Sequence, residues 1–228
     1  MKWEKCDISQ ISVYYITNFI WDLFQANTYF WLFSLPLILQ IILFKLEVLI
    51  DMPWLLIPAL TLEGPALAAL FSIMNKIAIE RDISLFSHYL QAYKLYFSSA
   101  CKIYGLQVIS FIILCMDIHF FKHIAWGNYL ILPFYTILFI LMMSVFYALP
   151  ILVTCHLTIK NTLQASVYYS LKNLPVTLLM ILVTLTLPFG VYYFLSTPIV
   201  SISAIFFLCS FITYIIILFE KDILANIN

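Results

Sequence analysis

The sequence predicts an all-α polytopic membrane protein, and three observations carry that prediction. Of 228 residues, 64% are hydrophobic and 10% are charged, and the mean hydropathy is +1.05. Soluble domains run near half apolar and a quarter charged, and a soluble fold of this length has too little interior to hide so much apolar surface. Second, the apolar runs are long and do not alternate, which excludes barrel strands. Backbone groups in lipid must be satisfied internally, so the spans are helices. Third, the basic residues sort onto two sides of the expected spans very unevenly.

The whole chain, 1–228, reads as a single transmembrane domain. Its start, MKWEKCDISQ, lacks the apolar core and small-residue cleavage site of a signal peptide. Residues 1–26 are expected to hold an interfacial N-terminal helix, because ISQISVYYITNFIWDLFQA sets Asn18, Asp22 and Gln25 among aromatic and aliphatic residues. Span 1 follows at 27–44. Residues 45–53, with Lys45, Glu47, Asp51 and Pro53, read as a polar turn. Span 2 occupies 54–79 and is interrupted at Gly64-Pro65. Residues 80–102 are more polar, with Leu85, Tyr89, Tyr93, Tyr96 and Ala100 at helical spacing, and predict a surface helix. Spans 3 and 4 fall at 103–121 and 129–153. A second amphipathic segment, 156–174, places Leu163, Val167, Leu171 and Leu174 on one stripe. Span 5 at 175–195 and span 6 at 199–219 close a hairpin through Ser196-Thr197-Pro198.

Six spans put Lys2, Lys5, Lys76, Arg81, Lys94, Lys102, Lys160, Lys172 and Lys221 on one side and only Lys45 and Lys122 on the other. The positive-inside rule then places both termini, and both amphipathic helices, in the cytoplasm. A net charge of zero gives no case for nucleic acid as a partner. The five cysteines (Cys6, Cys101, Cys115, Cys155 and Cys209) are odd in number and form no C-x-x-C pair, so they read as reduced packing thiols.

Three stretches resemble one family. ANTYFWLFSLP carries Asn27, Trp31 and Pro36. GPALAALFSIMNKIAIERDISLFSHYLQAYKLYFSSA begins with Gly64, Pro65 and Ala66. SLKNLPVTLL contains Pro175 at the opening of a span. Together they are similar to the signature of the YesL-like integral membrane proteins of Gram-positive bacteria, a family of unknown function. Genes for that family commonly lie beside carbohydrate-uptake ABC transporters and polysaccharide-degrading enzymes. The resemblance implies a multi-pass protein of the bacterial cytoplasmic membrane with a role in sugar uptake. Its signature begins at Gly64, so Glu63 stands outside it.

Glu63 is the candidate intramembrane polar site, with Gly64 and Pro65. Proline suits the first turn of a helix, so the pair predicts a helix start at Pro65. Counted from Lys76 at the membrane boundary, Glu63 lies roughly 20 Å deep in a core of ~30 Å. A carboxylate there must be paired, neutral or wet. A broken helix with an acid at its start is a solute-site geometry in transporters; the plainer expectation is an acid satisfied by a neighbouring helix.

Asp117, His119 and His123 offer too few ligands to predict a metal and read as interfacial residues. His88 and His156 fall on expected cytoplasmic segments without an obvious acid or nucleophile partner and read as surface residues. Neither H-E-x-x-H, G-x-S-x-G nor a phosphate-binding glycine loop is present, so no enzyme and no cofactor is expected. QASVYYSLKNLP ends in Leu-Pro as an ABC permease coupling loop does, but lacks that loop's acidic start and glycine. The expectation is a non-catalytic accessory or scaffold subunit, with the lipid bilayer and ABC importer permease subunits as partners. The alternative is a stand-alone small-solute transporter or channel built around Glu63.

Overall fold

The computed structural model describes residues 8–79, 84–123, 127–155, 157–194 and 208–220, and all of its elements are helical. In chain order they are α1 (Ile8–Phe33), α2 (Leu35–Asp51), the 3-10 turn η1 (Pro53–Leu55), α3 (Leu56–Ile79), α4 (Leu85–Phe121), α5 (Gly127–Cys155), α6 (Ile159–Lys172) and α7 (Leu174–Phe194). A further apolar helix, α8, covers Leu208–Glu220.

Three stretches are each long and apolar enough to cross a membrane: Pro53–Ala78, Leu85–Phe121 and Ile131–Cys155. Two bent pairs raise the number to as many as five when each pair counts as one span. The expected sixth span, 199–219, is described only from Leu208 onward, and α8 alone is too short to cross. The turn at 196–198, both chain ends and His156 lie outside the described residues.

The first bent pair corrects span 1. The expected straight segment 27–44 is divided at Ser34, where α1 and α2 meet at 52°. Pro36 is the cause: it has no N–H for the carbonyl of Leu32, and its ring disfavours the helical approach. The chain turns over instead, with the Ser34 N–H donating to the Phe30 carbonyl at 2.9 Å and the Leu37 N–H donating to that of Ser34 at 3.1 Å. The expected interfacial helix is therefore continuous with the start of span 1, and the expected polar turn at 45–53 is helical as far as Asp51.

The second bent pair is α6 and α7, which meet at 95°. Pro175 again removes the donor, here for the Leu171 carbonyl. The hydroxyl of Thr177 holds the corner, lying 3.0 Å from the carbonyls of both Ser170 and Asn173. Pro175 thus stands in the first turn of α7.

Two further expectations are corrected. Residues 84–121 are not a surface helix followed by a span: α4 is one helix of 37 residues, about 55 Å long at 1.5 Å per residue. The stripe Leu85, Tyr89, Tyr96 and Ala100 is buried against its neighbours instead of lying on a membrane face. Span 2 is not broken either. The helix α3 runs from Leu56 to Ile79 with Pro65 inside it. Proline deletes one bond, to the Thr61 carbonyl, whereas a full break would orphan several backbone groups where no water can satisfy them.

At the centre of the fold is α3, which contacts α1, α2, α4 and α5. The core gathers Leu23 and Phe30 from α1, Leu70 and Met74 from α3, Tyr89 from α4 and Leu149 from α5. Two tyrosines on α4 add polar ties. The Tyr89 hydroxyl donates to the Ala66 carbonyl at 3.0 Å, and the Tyr96 hydroxyl donates to the Val153 carbonyl at 3.2 Å. Val153 lies in the last turn of α5, where carbonyls have no partner of their own along the helix.

The amphipathic helix α6 packs by its small polar face. Thr162, Ser166 and Ser170 are fully buried, while Val167, Leu171 and Leu174 face outward. The hydroxyls of Ser166 and Ser170 donate to Leu163 and Val167 within the helix, each at 2.9 Å. With their polarity absorbed there, they allow the close approach that small residues give between membrane helices. Of the apolar stripe predicted for this segment, Leu163 packs against the core, and Val167, Leu171 and Leu174 remain exposed.

Candidate functional site

Glu63 is buried, and its position follows from the bend in the first hairpin. Ser34 caps α2 but makes no side-chain bond to that helix. Its hydroxyl turns to α3 and donates to Glu63 Oε2 at 2.8 Å. The acid expected at mid-span therefore has a partner at the α1–α2 bend. Tyr89, Tyr93 and Tyr104 of α4 and Cys209 of α8 all lie within electrostatic range of Glu63.

Gly64 and Pro65 are also buried, but they act in packing. A Cβ on Gly64 would come within 2.7 Å of Tyr104 Cβ and 2.8 Å of the Ala100 carbonyl oxygen. One turn away on the facing helix, a Cβ on Gly105 would meet Thr61 Cγ2 at 3.0 Å. Two glycines, one from each helix, thus let α3 and α4 cross backbone to backbone, the usual device of close membrane-helix contacts. Ala66 is fully buried beside them.

The other positions of the resemblance fall on α1, at the α1–α2 bend and at the α6–α7 corner. Asn27 is buried on the face of α1 that carries Leu23, Phe30 and Ser34, and among the described residues its Oδ1 has no hydrogen-bond partner. Trp31 is half-buried, its ring edge-on to Phe30 at 5.8 Å between centroids. Pro36 and Pro175 are the two bend-forming prolines.

The histidines separate. His119 and His123 stand edge to face with centroids 5.1 Å apart. Among the described residues, no group of three or more His, Cys, Asp or Glu side chains converges to hold a metal. His88, expected as a lone surface residue, is half-buried and faces Lys76, whose Nζ is 3.2 Å from Nε2. Cys101, Cys115, Cys155 and Cys209 are free thiols.

Two polar residues escaped the sequence reading. Glu220 is completely buried, and among the described residues neither of its carboxyl oxygens has a hydrogen-bond partner. It stands one residue past the expected span 6 at 199–219. Gln107 lies in the middle of α4 and is 4% exposed. Its amide nitrogen is 3.5 Å from Ser144 Oγ, a long donation, and among the described residues its Oε1 has no hydrogen-bond partner. The available signal was a single amide in the apolar run from Ile103 to Cys115.

Gln107 lines a groove of about 1350 Å³ on the side of the bundle, between the start of α3, the second half of α4, and α5. Trp54, Leu60, His119, His123 and Val145 are among the other residues that line it.

A family model described as "Protein of unknown function, DUF624" matches residues 14–118. The match takes in most of α1, all of α2 and α3, and nearly all of α4. It therefore contains Ser34, Glu63, Gly64 and Gln107, and leaves α5 to α8 outside. No curated protein and no solved structure matches the chain.

Proposed function

We propose that this chain is a non-catalytic accessory or scaffold subunit of the bacterial cytoplasmic membrane, assembled with the permease subunits of a carbohydrate ABC importer. The observation that carries the reading is the bond from Ser34 to Glu63. It makes the mid-span acid a tie between helices, and the unbroken, glycine-packed α3 beside it belongs to a rigid frame. The resemblance to the YesL-like family supplies the link to sugar uptake. In this reading the chain is multi-pass with six spans and both termini in the cytoplasm, as the charge asymmetry favours. The start of α4 and the whole of α6 then face the cytoplasm as contact surfaces.

A stand-alone transporter or channel is the second reading. Buried acids favour it, Glu63 and the unpartnered Glu220, since ionisable groups inside a membrane mark solute and proton paths. Affinity purification of the tagged full chain from native membranes separates the two. Co-purification of importer permease subunits at comparable amounts is the expected result. Recovery of the chain without any permease, together with solute flux from the purified protein in liposomes, would replace the first reading with the second.

A further inference from the structure

We infer that Glu220 is a proton-binding site: its carboxyl sits inside the bundle as the neutral acid, and release of that proton draws the Tyr147 hydroxyl off Thr177 and unties α5 from the α6–α7 corner. The inference goes beyond the accessory-subunit reading and holds whether the chain serves an importer or acts alone.

The argument starts from the carboxyl. Glu220 ends α8, is completely buried, and among the described residues neither of its oxygens has a hydrogen-bond partner. An ionised carboxylate taken out of water without a partner is so costly that the group keeps its proton instead.

Compensating charge is missing as well. Among the described residues, no lysine, arginine or histidine bears on Glu220. The group in electrostatic range of it is Tyr147, on α5. On α8 itself, Cys209 is eleven residues back, about 16 Å along the helix, and it is Cys209 that Glu63 of α3 acts upon. Helix α1 meets α8 through Phe19 and Tyr214, whose rings are 4.9 Å apart, and Asp22 of α1 has an interaction of its own.

The hydroxyl protons around Tyr147 follow from counting donors. Thr177 Oγ1 lies 3.0 Å from the carbonyls of both Ser170 and Asn173, and a hydroxyl has a single proton to give. That proton goes to a carbonyl, so the 3.1 Å contact between Tyr147 and Thr177 is a donation from the tyrosine. Tyr147, itself fully buried, thereby ties α5 to the corner at which α6 and α7 meet at 95°.

Neutral Glu220 leaves this bond alone. The carboxylate, by contrast, only accepts, and a hydrogen bond to it is roughly twice as strong as one between neutral groups. Thr213, two turns back on α8, is no substitute donor, because its hydroxyl is committed to the Cys209 carbonyl at 2.7 Å. An ionised Glu220 therefore competes for the Tyr147 hydroxyl, and the corner loses its tie.

The test follows the full chain in liposomes by infrared spectroscopy. A Glu63→Gln background removes the other buried acid among the described residues. At neutral pH the C=O stretch of a protonated carboxyl is expected, and it should vanish when Glu220→Gln is added. A nitroxide at Leu174, exposed at the corner, reads the tie. Its mobility should rise over the same alkaline range in which the carboxyl band fades. Glu220→Gln should abolish that rise, and Tyr147→Phe, with no proton to donate, should leave the label mobile throughout. Absence of a protonated-carboxyl band at neutral pH would overturn the inference, and that result is read from the Glu63→Gln protein whether or not Glu220→Gln folds. A pH-dependent mobility that persists in Glu220→Gln, or a label that stays immobile in Tyr147→Phe, would overturn it too.

Discussion

Ser34 and Glu63 are 29 positions apart, yet the serine hydroxyl and the carboxyl oxygen meet at 2.8 Å. A bend and a mid-span acid, which are separate oddities in the sequence, are thus two halves of one contact. Ser34→Ala leaves a buried acceptor unsatisfied and should cost about 1–3 kcal/mol of stability. Glu63→Gln keeps an oxygen for Ser34 and should cost less than about 1 kcal/mol. Thermal unfolding in detergent compares the two directly.

Gly64 should be intolerant of any side chain. Gly64→Ala places its Cβ at 2.7 Å from Tyr104 Cβ and 2.8 Å from a backbone oxygen, so the helices must part, at a cost of about 1–3 kcal/mol. Tyr104→Ala should not rescue it, because alanine retains the clashing Cβ. Recovery of the wild-type melting temperature in that double variant would show that the helices are less tightly crossed.

The two tyrosine ties on α4 should differ in value. Tyr96 satisfies a carbonyl in the last turn of α5, whereas Tyr89 bonds a carbonyl in the middle of α3 that its own helix can serve. Tyr96→Phe should therefore cost about 1 kcal/mol, and Tyr89→Phe distinctly less. The difference in unfolding midpoint between the two variants is the measurement.

Helix α6 gives a fourth test. Ser166→Leu forces a branched side chain into a fully buried contact and should lower stability by about 1–3 kcal/mol. Val167→Ser and Leu171→Ser change only the outward stripe. They should leave the fold intact and loosen the hold of α6 on the bilayer surface, by about 1 kcal/mol or more for each apolar side chain removed from lipid. Accessibility of α6 to a water-soluble thiol reagent, read from a cysteine placed at Lys160, reports that change.

The helices behind the expected spans at 129–153 and 175–195 were legible because long apolar runs favour helix, and the two runs agree closely with the bounds of α5 and α7. The prolines were harder to read. Pro36, Pro65 and Pro175 carry the same local signal, a missing donor, yet two bend the chain and one sits inside a continuous helix. What separates Pro65 is the tight fit of Gly64 on Ala100, a contact with residues 36 positions away that no local pattern records. The polar stretch at 84–102 misled for a related reason. Its polarity does not mark the end of a helix: α4 runs through it from Leu85 to Phe121. Gln107 and Glu220 went unread because one polar residue in an apolar run gives no sign of whether a partner awaits it.

The length of α4 has a mechanical meaning. It contains no proline, and its 37 residues form one uninterrupted ladder of backbone bonds, so it has no hinge at which a displacement could be absorbed. Were such a rod to tilt as one body about the Gly64–Gly105 contact, its two ends would move in opposite directions. With about 55 Å between its ends, a tilt of about 5° shifts one end relative to the other by about 5 Å. A push on Leu85 would then arrive, reversed in direction, at His119.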